Sequence, residues 1–151
     1  QKGAGSMLEK VKRIELLAMK LVNGFGCTDI ESKHIRRVSE LCKADLVTQM
    51  VGELPALQGE MGAYYANENG EDEAVCEGIR EHYFPRSESD QAAILSTVGA
   101  VVSMADRLDT LVVCFENGLE TSIKTNATFA RVHALAVFFV NSLCPGLSII
   151  T

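Results

Sequence analysis

The sequence has little of what most small enzymes and metal proteins depend on. It has no tryptophan and only three histidines, His34, His82 and His133. Its five cysteines lie far apart without a C-x-x-C pair, which argues against a zinc site and favours reduced thiols. A phosphate-binding glycine loop, a dinucleotide fingerprint and a G-x-S-x-G nucleophile elbow are all missing. These absences argue against an enzyme of those classes that works alone.

Long apolar runs are missing as well. The longest is ALAVFFV at 134–140, with Arg131, His133 and Asn141 close by, whereas a membrane-spanning helix needs about 20 apolar residues. The first residues show neither the apolar core nor the cleavage site of a signal peptide. We therefore expect a cytoplasmic protein with no membrane partner.

Positive charge is also in the minority, with 14 Lys and Arg against 20 Asp and Glu and a net charge of −6. This balance argues against wrapping of nucleic acid, and we expect no DNA partner. The basic residues that are present cluster in two places: Lys2, Lys10, Lys12 and Arg13, then Lys33, Arg36 and Arg37. Such clusters are either solvated helix faces or a local RNA footprint, and the sequence leaves both open.

Helical periodicity dominates the rest and predicts an all-α fold of about six helices in one domain over residues 1–151. Ser6 with Glu9 has the form of a capping box that begins the first helix. Thr28 with Glu31 has the same form, and the helix that it begins is predicted to run through about residue 51.

Four more helices complete this prediction. Pro55 suits the first turn of the third, with Gly59 and Gly62 inside it at a close helix crossing. A short helix with Val75 and Ile79 follows. Asp90 is predicted to cap a long helix that ends near residue 115, and a last helix covers about 127–143.

Three aspartates are candidate site residues. Asp45 shares a predicted apolar stripe with Val38 and Leu41, so it marks either a metal or catalytic site or a satisfied structural hydrogen bond. Asp106 and Asp109 are neighbours on the long helix and would suit a hard cation together with Asp45. The more common alternative for two helical aspartates is a solvated face with Arg107 beside them.

Four segments resemble, in the correct order, the β subunit of bacterial-type tetrameric glycyl-tRNA synthetase. They are QKGAGSMLEKVKRIELLA at 1–18, KADLVTQMVGELPALQGEMGAYYA at 43–66, EHYFPR at 81–86 and ADRLDTLVVCF at 105–115. The resemblance is strongest over 1–117 and implies a domain cut from a longer subunit. The later segment TNATFARVH departs from the family's TNDPFALRR, so no role is carried over to it.

The resemblance implies an HD-like helical bundle, related to metal phosphohydrolases that need a histidine, a His-Asp pair and a later aspartate. Here the pair is Ala44-Asp45, Asp106 matches the later aspartate, and His34 is the only candidate for the first histidine. Because alanine cannot bind a metal, we expect Asp45 and Asp106 to be vestigial, with no metal and no catalytic residue. The alternative is an HD-type metal phosphohydrolase with a degenerate site, completed by a histidine from elsewhere.

The resemblance also implies partners. ATP and Mg²⁺ would be bound by the catalytic α subunit or region, and the β subunit would bind tRNA(Gly) and help to bring its acceptor end to that site. From the two basic clusters, the residues predicted to contact tRNA are Lys10, Arg13, Arg36 and Arg37. A purely structural spacer without RNA contacts is the remaining alternative.

Overall fold

The computed structural model describes residues 5–84, 86 and 95–117, and within these ranges the fold is all-α with no strand. Six α-helices are present in this part of the chain: α1 Met7–Phe25, α2 Asp29–Leu41, α3 Gln49–Glu53, α4 Glu60–Glu68, α5 Glu73–Glu81 and α6 Thr97–Glu116. Two 3-10 turns, Ala44–Val47 and Pro55–Leu57, flank α3. The prediction of an all-α fold is confirmed.

Both predicted capping boxes are present. Ser6 and Glu9 exchange side-chain and backbone hydrogen bonds at the start of α1, and Thr28 and Glu31 do the same at the start of α2. Each box satisfies two of the N–H groups that the first helical turn leaves without a partner. Gly26, at a φ of 63°, ends α1 in the left-handed conformation that glycine adopts without strain.

The second helix is shorter than predicted, because α2 ends at Leu41 and does not continue to residue 51. Lys43 and Asp45 are both buried, at 5% and 1% exposure. A continuous α-helix would turn these two side chains about 200° apart, so it could not bury both on one face. The break into a 3-10 turn allows both to point inward, and Thr48 then caps α3 by accepting a hydrogen bond from the Val51 N–H.

The third predicted helix also begins later than expected. Pro55 begins a 3-10 turn, and Gly59 is the N-cap of α4 and does not lie inside a helix. Its φ of 84° favours glycine, and a Cβ there would lie 2.8 Å from Cδ2 of Tyr83. Gly62 does lie inside α4 at a close crossing, where a Cβ would lie 2.9 Å from Cγ2 of Ile79.

The core forms around α6, which packs against α1, α2 and α5. Helix α4 packs against α5. The fully buried apolar side chains that join α1, α2 and α6 include Ile14, Ala18, Ile35, Val38, Val101, Val102 and Ala105. The predicted short helix with Val75 and Ile79 is α5, and both side chains are buried. This packing positions the charged side chains that lie between α1, α2, α5 and α6.

Several predictions fall outside the described residues, namely the cap at Asp90, the last helix over 127–143 and the position of His133. Four cysteines are described, Cys27, Cys42, Cys76 and Cys114, and all are free. Burial raises the pKa of the Cys42 thiol to about 12, so it packs as an apolar side chain. Among the described helices, none is long and apolar enough to cross a membrane.

The crossing at Gly62 is tested by replacing this residue with leucine. We expect Gly62→Leu to lower the free energy of unfolding by about 1–3 kcal/mol, because the new side chain would overlap Ile79 and the Asp45 carboxylate. Gly52→Leu is the matched control, since Gly52 is also helical but has no atom within 4 Å of its Cβ position. Denaturant unfolding measures both, and equal stability of the two variants would contradict the crossing.

Candidate functional site: a buried lysine between Asp106 and His82

A buried ammonium group lies at the centre of the molecule's polar interior. Nζ of Lys43 lies 2.7 Å from Oδ2 of Asp106 and 3.0 Å from Nε2 of His82. It also lies 4.2 Å from the ring centroid of Tyr83, within the range of a cation–π interaction. These four side chains form a cluster in which one lysine connects three parts of the chain.

The cluster lies where the C-terminal ends of α2 and α5 meet the middle of α6. Lys43 follows Cys42, the C-cap of α2, while His82 is the C-cap of α5 and Asp106 lies in the middle of α6. Arg107, the residue after Asp106, is buried and donates to the carbonyl oxygens of His82 at 3.1 Å and Tyr83 at 3.0 Å. These bonds satisfy carbonyls at the end of α5 and fix the turn that carries His82.

The hydrogen bonds of His82 define its protonation state. Nδ1 lies 2.6 Å from the carbonyl oxygen of Ile79, so it donates a proton, and Nε2 accepts from the Lys43 ammonium. Full burial and the positive charge of Lys43 hold the pKa of His82 well below its ordinary value. The imidazole is therefore neutral at pH 7.

Asp106 is the negative centre of the cluster. Burial acts to raise its pKa, but the ammonium groups of Lys43 and Lys10 outweigh burial and hold the pKa well below its ordinary value. Nζ of Lys10 lies 2.8 Å from Oδ1 of Asp106, so each carboxylate oxygen faces one lysine. Asp106 is thus ionised and shared between two cations.

The interpretation of Asp106 and Asp109 as a solvated face is wrong. Asp109 is buried, and its carboxylate lies 3.0 Å from Nζ of Lys10 and 2.5 Å from Nε of Arg13. Arg107 is buried too. Asp106 and Asp109 therefore face α1, where Lys10 and Arg13 supply the opposite charge. Ion pairs thus join the two helices.

Asp45 is buried as predicted, and its neighbours explain why. Its Oδ2 accepts a hydrogen bond from the Gly59 N–H at 2.7 Å, so the carboxylate lies at the N-terminus of α4, where a negative charge is favoured. Its backbone carbonyl accepts from the Thr48 hydroxyl at 2.7 Å. Asp45 therefore joins the 3-10 turn to α4 as a structural acceptor.

The metal that the resemblance to HD-type hydrolases implies does not fit these residues. Ala44 offers no ligand, and the Lys43 ammonium lies between Asp106 and His82, the oxygen and nitrogen that a cation would use. His34 pairs instead with Asp72, at 3.3 Å. In the part of the chain that the structure describes, no three His, Cys, Asp or Glu side chains group together as metal ligands.

The four residues predicted to contact tRNA are placed on α1 and α2, and each forms an ion pair. Lys10 and Arg13 bind Asp109, while Arg36 binds Glu15 at 2.7 Å. Arg37 binds Glu40 and Glu71, at 2.9 and 2.6 Å. Whether any of them also contacts RNA stays a prediction.

Lys43 and His82 are the site residues that sequence reasoning missed. Both belong to segments that carried the family resemblance, KAD at 43–45 and EHY at 81–83. Periodicity could not connect them, because 39 residues separate Lys43 from His82 and 63 separate it from Asp106. The one local sign of the cluster is that Lys43 lies two residues before Asp45, which is predicted to face inward.

Removing the Lys43 charge tests the cluster. We expect Lys43→Met to lower the free energy of unfolding by about 3–5 kcal/mol, because Asp106 would stay buried with one lysine fewer. The double variant Lys43→Met with Asp106→Leu should recover part of this loss, since no buried carboxylate then lacks a counter-ion. Denaturant unfolding of the wild type, both single variants and the double variant gives the interaction free energy between Lys43 and Asp106. Strictly additive effects of the two substitutions would contradict the ion pair.

The neutral imidazole of His82 predicts a pH dependence. Its folded pKa is lowered, so below about pH 6.5 the unfolded chain binds a proton that the folded chain does not. The contribution of His82 is therefore fully present above that pH and is lost, at up to about 1.4 kcal/mol per pH unit, as the pH falls towards the folded pKa.

The quantity to measure is the difference in unfolding free energy between the wild type and His82→Gln, from pH 8 to pH 5. The difference is needed because burial also raises the pKa of Glu81. A raised carboxyl pKa makes the folded protein more stable as the pH falls, which is opposite to the effect of His82. A wild-type advantage that stays constant over this range would show that His82 carries no such shift.

Comparison with known proteins agrees with the resemblance. The family model described as the glycyl-tRNA synthetase beta subunit matches residues 1–138, which extends beyond the strongest resemblance at 1–117. A glycine–tRNA ligase β subunit from Halalkalibacterium halodurans is 50% identical over 115 residues, 76% of this chain and 16% of the relative. One from Trichodesmium erythraeum is 53% identical over 116 residues, with coverages of 76% and 16%.

A third relative, from Picosynechococcus, is 43% identical over 140 residues, which are 93% of this chain and 20% of the relative. The chain thus spans between 16% and 20% of the length of these three relatives. Since the family model matches most of its residues, the chain belongs to the glycyl-tRNA synthetase β-subunit family.

Proposed function

We propose that this chain is a non-catalytic helical module of a glycine–tRNA ligase, which supports tRNA binding and positioning and the assembly of the two subunits. The observation that carries the proposal is the Lys43–Asp106 ion pair, in a chain of the β-subunit family. A divalent metal would have to displace a buried ammonium that already binds the carboxylate. The cluster therefore supports a structural use of this interior and not hydrolysis.

The chemistry of ligation is assigned, in this proposal, to the other subunit. ATP and Mg²⁺ would bind the catalytic α subunit or region, and this module would act in the cytoplasm by holding tRNA(Gly) in place. The relatives named above are β subunits of glycine–tRNA ligases, which supports a protein partner and an RNA substrate. Neither requires a reacting group in this chain.

The described lysines and arginines differ in how much charge they can offer to RNA. Lys10 faces two carboxylates and the Thr110 hydroxyl, and Arg37 is shared between two glutamates. In contrast, three exposed lysines form no ion pair within the described ranges: Lys12, Lys20 and Lys33. A phosphate would meet a less neutralised charge at these lysines than at Lys10 or Arg37.

Two of these lysines lie on the same side of α1. Lys12 and Lys20 lie two turns apart on α1, about 12 Å along the helix axis, and the exposed Leu16 lies between them. Lys33 lies on α2, which is joined to α1 by the Arg36–Glu15 ion pair. We propose Lys12, Lys20 and Lys33 as phosphate contacts, with Arg36 beside them because half of its side chain remains exposed.

The test uses the two-subunit enzyme that carries this module. We expect Lys12→Ala with Lys20→Ala to weaken tRNA(Gly) binding severalfold and to reduce the salt dependence of log Kd by about 1.4–1.8, since each lost phosphate contact removes about 0.7–0.9. Glycine activation without tRNA should not change, and neither should the melting temperature, because both lysines are exposed and form no ion pair with the described residues.

The matched control is Lys10→Ala with Arg13→Ala, which removes the same charge from the same helix. Because these side chains pair with Asp106 and Asp109, their loss should lower the melting temperature and change the salt slope less than the first double variant does. An unchanged tRNA affinity and slope for Lys12→Ala with Lys20→Ala would reject this surface. An unchanged affinity after deletion of the whole module would reject the tRNA function itself.

A further inference from the structure

Two Asn-Gly pairs lie wholly within the described residues, each at the C-terminal end of a helix. Asn23 and Gly24 belong to the last turn of α1, while Asn69 is the C-cap of α4 and Gly70 follows it. All four residues are exposed. In such a pair the backbone nitrogen of the glycine can attack the side-chain amide of the asparagine, so the local structure decides which pair reacts.

The reaction consumes water and needs no oxidant or reductant. At the second pair, the Gly70 nitrogen forms a bond to Cγ of Asn69, and the bond from Cγ to the amide nitrogen breaks. Ammonia leaves with the proton of the Gly70 N–H, which produces a five-membered succinimide ring. Water then opens the ring at either of its two carbonyl carbons and gives aspartate or isoaspartate.

The backbone at Gly70 allows this attack once the turn opens. No atom lies within 4 Å of its Cβ position, so the nitrogen is unhindered. At a ψ of 6°, Asn69 directs this nitrogen away from its own Cγ, and the bond must rotate first. The rotation breaks two turn bonds, from the Gly70 N–H to Asn67 at 3.0 Å and from the Glu71 N–H to Ala66 at 3.1 Å. Exposed bonds at a helix end open at a low free-energy cost.

The pair in α1 is held more firmly. Gly24 is equally unhindered, but it lies inside the helix, so its N–H belongs to the helical hydrogen-bond pattern. The next residue, Phe25, packs against the hydrophobic core. Rotation at Asn23 would therefore break the last helical turn and also disturb the core contacts of Phe25.

We propose that Asn69 is a site of spontaneous deamidation, and that in the folded protein it reacts faster than Asn23. Both pairs have the same reacting groups, so the difference comes from the structure that must open. The site is independent of the proposed function, because the reaction uses only this chain and water.

The reaction changes how α4 ends. The side-chain amide of Asn69 donates a hydrogen bond to the Tyr65 carbonyl oxygen at 2.7 Å, which satisfies a carbonyl at the helix C-terminus. A carboxylate at this position has no proton to donate to that oxygen, and it adds negative charge at the negative end of the helix dipole. Isoaspartate, the other product, also lengthens the main chain by one carbon. Deamidation should therefore loosen the end of α4.

Peptide mapping by mass spectrometry tests the proposal on the purified chain during incubation at pH 8. We expect aspartate and isoaspartate to accumulate severalfold faster at position 69 than at position 23. In denaturant the two rates should become nearly equal, because no structure then has to open. Asn69→Gln should give no product at position 69 over the same period, since glutamine can form only a six-membered ring.

Asn69→Asp measures the consequence of the reaction, and Asn23→Asp is the matched control. Both substitutions add one carboxylate to an exposed position at a helix C-terminus, but in the described part of the chain the Asn23 side chain has no hydrogen bond to lose. We expect Asn69→Asp to lower the melting temperature more than Asn23→Asp does.

The folded chain gives the decisive comparison. Equal rates at the two positions, a faster reaction at position 23, or no product at position 69 would overturn the proposal. Rates that already differ by the same factor in denaturant would overturn its structural basis. Equal melting temperatures of the two aspartate variants would overturn the conclusion that the reaction loosens α4.

Discussion

The burial of the Lys43 charge is the constraint on which much of this structure depends. An ammonium group with 5% exposure must have partners, and it finds them on two other helices, Asp106 on α6 and His82 at the end of α5. The imidazole is neutral because it is fully buried and lies beside the charged lysine, from which it accepts a hydrogen bond. The pair thus sets the relative positions of three helix segments and the protonation state of one side chain.

The same constraint produces the irregular region that follows. Because α2 stops before Lys43, the chain passes through a 3-10 turn, α3 and a second turn before α4 begins. Asp45 connects the two ends of this irregular segment, because its carboxylate accepts a hydrogen bond from the Gly59 N–H. In the same region the side chains of Val47, Met50 and Leu54 remain exposed, so an inward lysine and several outward apolar side chains accompany the same break.

The sequence predicted the features that depend on neighbouring residues and missed those that depend on distant ones. The capping boxes at Ser6 and Thr28 and the burial of Asp45 follow from local pattern, and all three are confirmed. The environment of Asp109 does not follow from the sequence, because helical periodicity cannot distinguish an aspartate that faces water from one that faces a cation. Its partner, Arg13, lies 96 residues away, and only tertiary packing brings the two together.

A lysine in place of a metal also changes what the interior can do. A bound divalent ion brings open coordination positions that can polarise a substrate or activate water, whereas an ammonium brings three donors and no open position. Two of those donors already face Asp106 and His82. In the part of the chain that the structure describes, these interior groups therefore hold the helices together through side chains alone.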